Sequence, residues 1–157
     1  GPEGPHDLTD SSAIPTGVGP SANLSAARTP NSNERFTLAD SAWLDLTRDW
    51  TIWGWWYADD LAANRPIASK WDAVGPNEIA LSVELAATRW RLLVNGAVGN
   101  VVCEVTDPLP AAATWFFVVA GYDHNRDELF VQINNTSETR TTLGGPLTHG
   151  AAQFQLL

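Results

Sequence analysis

At 157 residues the chain fits one domain, able to bury about 68–70% of its unfolded surface. A hydrophobic content of 44% is that of a globular protein and excludes wholesale disorder. Nine basic residues against eighteen acidic leave a formal charge of −9; with Lys70 the sole lysine and no basic run, a phosphate backbone is excluded as a partner.

No apolar run approaches the roughly 18–20 residues of a membrane helix, so membrane insertion is not expected. The single Cys103 rules out an internal disulfide framework. It shares a strand face with Val101 and Val105 and reads as a small buried hydrophobe. The chain contains no methionine, even at its start, as expected of a processed piece, and no targeting signal is visible.

Residues 1–33 are rich in Gly, Pro, Ser and Asn and poor in large apolar groups. Pro and Gly interrupt regular structure, so an extended N-terminal arm is expected there, with the domain proper spanning 34–157. Ser21 to Ala26 and Glu34 to Leu38 are candidate edge strands, and Ser41 to Leu46 reads as a turn or short helical stretch.

Trp50 to Tyr57 then holds four of the eight tryptophans in eight residues. Aromatic and β-branched side chains suit a pleated strand. With period two, Trp50, Ile52, Gly54 and Trp56 face one way, and Thr51, Trp53, Trp55 and Tyr57 the other. Both faces are largely apolar, so the second one needs a cover as much as the first needs a core. Sugar, the N-terminal arm or another subunit could supply that cover, and protein is expected to cover much of it.

Ile67 to Trp71 reads as a strand and Gly75-Pro76-Asn77 as a turn. From Glu78 to Leu85 the alternation is clean, with Ile79, Leu81, Val83 and Leu85 inward and Glu78, Ala80, Ser82 and Glu84 outward. Trp90 to Val94 follows, and Asn95-Gly96 predicts a two-residue hairpin turn leading into Val98 to Val105. Trp115 to Tyr122 is apolar on both faces, like the strand at Trp50. Asp123 to Asp127 turns the chain into Glu128 to Asn134, a polar stretch runs from Asn135 to Thr142, and Phe154 to Leu157 begins another strand. Short strands between turn signals, with no amphipathic helix, predict an all-β antiparallel sandwich or barrel.

Several of these segments resemble laminin G-like domains of the concanavalin A-like lectin/glucanase superfamily. Asp49-Trp50-Thr51-Ile52-Trp53-Gly54-Trp55 is similar to the family's F-T-I-x-x-W strand, and Ile67-Ala68-Ser69-Lys70-Trp71-Asp72 to its I-x-S-K-x-D strand. Trp115 to Asp123 resembles W-x-x-V-A-x-x-Y-D, and Leu129 to Asn134 stands where these domains have L-x-l-Y-V-D/N-G. The order and spacing extend over about residues 36–157. The resemblance implies a two-sheet antiparallel jelly roll of the kind used for glycan binding and adhesion outside cells, on cell surfaces and on virus particles. Similarity of fold does not carry a function by itself. Such domains continue past the position of Leu157 with a further strand, so the expected sandwich lacks its last strand unless the N-terminal arm supplies it. The open edge would then favour a homo-oligomer or a foreign strand.

Glycosidases of this fold place two carboxylates across a groove, often as E-x-D-x-x-E, because one protonates while the other attacks. The chain has no such motif. Glu78, Glu84 and Glu104 read as solvent-facing acids, and His6, His124 and His149 lie in separate loops without triad or metal spacing.

Asp123-x-Asn125-x-Asp127 has the alternating oxygen spacing that opens a calcium loop, and equally that of a hairpin turn capped by its own side chains. Calcium is therefore the one candidate cofactor, on Asp123, Asn125 and Asp127. The tryptophans also admit two readings: core packing, or a sugar surface in which Trp53, Trp55 and Tyr57 stack while Arg89 and Arg91 supply polar contacts. Asn23, Asn134 and Asn135 begin N-x-S/T tripeptides, relevant only in a glycosylating pathway.

The sequence thus points first to a non-catalytic binding or adhesion module for a glycan, extracellular or on a cell or virion surface. A structural assembly subunit with contacts between copies comes second, and a glycoside hydrolase third.

Overall fold

The structure, a computed structural model, describes residues 35–41, 44, 46–71, 78–84 and 88–156, and the backbone of three short strands before them. Those three are β1 (Thr9–Asp10), β2 (Thr16–Val18) and β3 (Ser25–Ala27). Then come β4 (Phe36–Leu38), β5 (Trp50–Trp56), β6 (Arg65–Lys70), β7 (Ile79–Glu84), β8 (Arg89–Gly96), β9 (Gly99–Val105), β10 (Phe116–Asp123), β11 (Glu128–Ile133), β12 (Thr139–Thr142) and β13 (Phe154–Leu156). Among the described residues there is no α-helix, and so none long and apolar enough to cross a membrane.

The fold is an all-β, two-sheet antiparallel sandwich. A seven-stranded sheet runs β1-β4-β13-β6-β7-β8-β9 and a four-stranded sheet runs β12-β11-β10-β5, while β2 and β3 form a separate ribbon. Every pairing is antiparallel. The sheets meet through the alternate residues that burial selects. Ile79, Leu81, Val83, Trp90, Leu92, Val94 and Cys103 come from the larger sheet; Trp56, Phe116, Val118, Ala120, Tyr122, Leu129, Val131 and Ile133 come from the smaller. Trp90 sits at the seam with no exposed surface. Its ring meets Trp56 edge-on at 5.2 Å and Phe116 at 4.9 Å, and its indole N–H donates to the Pro108 carbonyl at 2.8 Å. Each edge-to-face pair adds about 0.5–1.5 kcal/mol beyond the area it buries.

Several expectations need correction. β13 does not stand at an unfinished margin: it lies between β4 and β6, with Phe154 opposite both Leu38 and Lys70, and the arm contributes β1 on the far side of β4. Ser25–Ala27 pairs with β2 in the ribbon and not with either sandwich sheet. The chain does not turn at Asn95-Gly96: β8 continues through both, and the turn is Ala97-Val98, followed by Gly99 at φ +107°.

Tertiary contacts override the local turn preference there. Asn95 N–H donates to the Glu78 carbonyl and its own carbonyl accepts from Thr148. Gly96, on the buried face, packs under Leu143: a Cβ there would lie 3.1 Å from Leu143 Cδ1.

Thr139–Thr142 forms a strand within the stretch read as merely polar; as the edge of its sheet it can be polar on both faces. Glu78 is not solvent-facing but 2% exposed, ion-paired with Lys70, which is fully buried. The expected turn at Gly75-Pro76-Asn77 and the inward Leu85 lie outside the described residues. Cys103 is buried as expected, its thiol donating to the Thr139 carbonyl at 3.4 Å, and burial pushes its pKa up.

Candidate functional site: an outward aromatic face

Burial along β5 alternates as its side-chain period predicts. Trp50, Ile52 and Gly54 are half-buried and Trp56 is buried, whereas Thr51, Trp53 and Trp55 are exposed. The exposure is large: Trp53 at 70%, Trp55 at 53% and Tyr57, just past the strand, at 38%. Among the described residues, nothing packs over the second face enough to bury Trp53 or Trp55. Of the other described tryptophans, Trp56 and Trp90 are buried and Trp50, Trp71 and Trp115 half-buried, so core packing accounts for most but not for Trp53 and Trp55.

β10 extends this face, because its register sets Phe117 opposite Trp55 and Val119 opposite Trp53. The Phe117 ring lies 6.1 Å from Trp53 and 5.3 Å from Trp55, and Trp115 lies 5.1 Å from Tyr57. These neighbouring rings are tilted against each other by 50°, 59° and 40° respectively. The result is five aromatic side chains over two strands, and β5 is one edge of the smaller sheet among the described strands. Beyond them on the same face come two carboxamides. Gln132 is opposite Val119 and donates to the Thr136 carbonyl at 2.7 Å. Asn134, exposed and at φ +54°, accepts from the Phe117 N–H at 2.9 Å.

The other end of the face is charged. Gly121 lies under the Phe130 ring, and the Arg140 guanidinium sits 5.3 Å above that ring. Arg140 is paired with Glu128 at 3.1 Å, Asp123 at 3.4 Å and Glu138 at 2.5 Å. Three carboxylates surround one guanidinium.

Arg89 and Arg91 are not part of this surface. They project from β8 away from the core, on the opposite outer face of the sandwich, and are committed to acids. Arg89 binds Glu84 at 2.6 Å and Glu104 at 2.5 Å, and Arg91 pairs with Glu84. The Arg89 hydrogen bond is the chief reason that the Glu84 carboxyl lies below its ordinary pKa. Alternation predicts that these groups face outward, but not that they belong to the other sheet.

The Asp123–Asp127 loop folds as a capped turn. Asp123 Oδ1 accepts from the Arg126 N–H at 3.2 Å. Asp127, at φ +54°, accepts from the Tyr122 hydroxyl with Oδ1, and from the Gly144 and Gly145 N–H groups with Oδ2, each at 3.0 Å. Asn125 is exposed. The Asp123 Oδ1 and both Asp127 carboxylate oxygens thus accept from protein donors. Among the described residues no cluster of three or more His, Cys, Asp or Glu side chains forms a metal site. Tyr122 is 2% exposed; burial first, then the bond to Asp127, pushes its phenol up to about 12.

Sequence reasoning named Trp53, Trp55 and Tyr57 but missed Trp115, Phe117, Gln132 and Asn134. The signal for the first pair was the doubly apolar stretch at Trp115 to Tyr122, which pairs with β5. The carboxamides gave none, since their place depends on register. No protein-family model matches the chain, and no curated protein is significantly similar to it.

Proposed function

We propose that the protein is a non-catalytic binding module that holds a glycan on the outward face of β5 and β10. The observation that carries this reading is the exposure of Trp53, Trp55 and Tyr57 beside carboxamides. Two tryptophans more than half exposed cost solubility unless they serve a contact. Aromatic rings offer an apolar surface to the C–H face of a sugar, and carboxamides both donate to and accept from hydroxyls.

The resemblance to laminin G-like domains agrees with such a role, and with a place outside cells or on a virus particle. The non-catalytic part of the proposal is supported by the acids. Glu78 is buried against Lys70, and Glu84 and Glu104 are engaged by Arg89 and Arg91, so these carboxylates are not posed across a groove as acid and nucleophile.

A glycan array probed with the full chain and with Trp53→Ala and Trp55→Ala variants tests the reading. Binding to at least one glycan, lost in both variants while their circular dichroism is unchanged, is the expected result. No binder on the array, or binding unaffected by either substitution, contradicts it.

A further inference from the structure

Away from the aromatic face, the chain's sole lysine is enclosed by protein. Lys70 ends β6 with no exposed surface, whereas the other eight of the nine Lys and Arg residues are arginine. Arginine suits a buried ion pair, because its guanidinium stays charged and does not act as a nucleophile. Lysine differs in one chemical respect. Once it gives up a proton in a dry site, its nitrogen carries a free electron pair. We propose that Lys70 and Asp40 condense to an intramolecular amide, with Glu78 carrying the protons, so that the mature protein holds a covalent cross-link. This proposal is independent of the glycan reading.

Three groups meet at the amine. It donates to Glu78 Oε1, and Glu78 is itself 2% exposed. The Gly150 carbonyl accepts a second hydrogen bond at 2.8 Å. Asp40 Oδ1 lies 2.8 Å from Nζ, yet it is shielded from solvent and makes no hydrogen bond among the described residues. Nζ thus stands beside the Asp40 carboxyl group while its hydrogen bonds point elsewhere, as attack on that group requires. With a C=O bond of about 1.2 Å, Nζ is at most about 4 Å from Asp40 Cγ, close to the roughly 3–3.5 Å of a near-attack arrangement. Glu78 is fixed in turn by the Gly150 N–H, which donates to Oε1 at 2.7 Å.

The step is a condensation and balances without a co-reactant. Nζ passes a proton to Glu78, and its freed electron pair attacks Asp40 Cγ. The C–N bond forms, one C–O bond of the carboxyl group breaks, and that oxygen departs as water. Of the three ammonium protons, one stays on the amide nitrogen and two leave in the water. Glu78 relays them and ends as the carboxylate it began as; nothing is oxidised or reduced. In bulk water, hydration of the two charges opposes this reaction. Burial removes that hydration, and a neutral amide costs less to keep in a dry interior than a separated pair of ions. Fixed geometry adds the advantage of an intramolecular reaction. The Asp40 side chain is 25% exposed, which gives the water an exit.

Asp40 follows β4 and Lys70 closes β6, and β13 lies between those two strands. The bond therefore bridges the two neighbours of β13. It also encloses β5 and its tryptophans in a covalent loop from residue 40 to residue 70, which restricts the unfolded chain.

The test is the intact mass of the full chain after denaturation, with a protease map. The expected mass is one water below that of the sequence, and the map is expected to contain a branched peptide joining Asp40 to Lys70. Asp40→Ala and Glu78→Gln are each expected to show their full sequence mass, with circular dichroism checking that each folds. Folded wild type at its full sequence mass overturns the proposal, as does a water loss that persists in Asp40→Ala or maps to another residue. Cross-linking in Glu78→Gln as complete as in wild type overturns the role given to Glu78. If Glu78→Gln does not fold, the wild-type map and Asp40→Ala, altered at a part-exposed side chain, decide the matter.

Discussion

Two glycines separate space from sterics at single residues. Gly54 faces inward in the middle of β5, yet a Cβ there would meet nothing within 4 Å. Glycine weakens a strand interior by roughly 0.5–1 kcal/mol relative to alanine, so Gly54→Ala is expected to raise stability by that amount in urea melts. Gly121 is the reverse case. A Cβ there would collide with the Trp50 carbonyl oxygen and the Phe130 ring, so Gly121→Ala is expected to destabilise by about 1–3 kcal/mol and to disturb the Arg140–Phe130 stack.

Tyr122 gives a pH signature at the same scale. Its phenol ionises at about 12 in the fold against an ordinary 10.0. A raised folded pKa means that the contribution is complete below pH 10 and is lost as pH rises through 12. The difference is worth on the order of 2–3 kcal/mol. Urea melts between pH 8 and 12 should show that loss for wild type and a flatter profile for Tyr122→Phe; identical slopes would contradict the assignment.

At the scale of elements, the segment leading into β13 is tied down by a buried ion network. Lys70, fully buried at the end of β6, pairs with Glu78 and with Asp40 at 2.8 Å, and donates to the Gly150 carbonyl at 2.8 Å. Glu78 in turn accepts from the Gly150 N–H at 2.7 Å and lies 3.3 Å from His149 Nδ1. Removing one buried partner strands the other, so Lys70→Ala is expected to cost about 3–5 kcal/mol. The double change Lys70→Met/Glu78→Leu should cost less than Lys70→Ala, as thermal melts can show; a larger cost would mean that the network specifies the fold.

The hairpin loop after β10 makes a second prediction. With the Asp127 oxygens already satisfied, millimolar calcium should leave Tm unchanged against EDTA. A rise in Tm that Asp123→Ala and Asp127→Ala abolish would show that the loop opens to hold the ion.

The whole molecule was readable from its chain to an uneven depth. The alternation in β7 marks its inward residues Ile79, Leu81 and Val83, because burial on one face imposes period two; in β5 it separates the two faces without saying which one is inward. What failed depended on contacts distant in sequence. Asn95-Gly96 has strong turn chemistry, yet Glu78, Leu143 and Thr148 hold it in a strand. Glu78 reads as an outward acid because its position fits the period, whereas Lys70, eight residues earlier, and the distant Gly150 N–H offset the cost of its burial. The polar half of the aromatic face was invisible because Gln132 and Asn134 reach it through the pairing of β11 with β10. Arg89 and Arg91 were placed with the tryptophans because outwardness alone does not say which sheet a strand joins.

The proposed function requires that ligand meet the outer face of the small sheet. Indole N–H resonances of all eight tryptophans, assigned by single Trp→Phe variants, can be followed by NMR during titration with a neutral glucan hexasaccharide. The prediction is that Trp53 and Trp55 shift in a saturable, concentration-dependent way while the buried Trp56 and Trp90 stay in place. Saturable shifts confined to other tryptophans, or no shift at millimolar sugar, would contradict it.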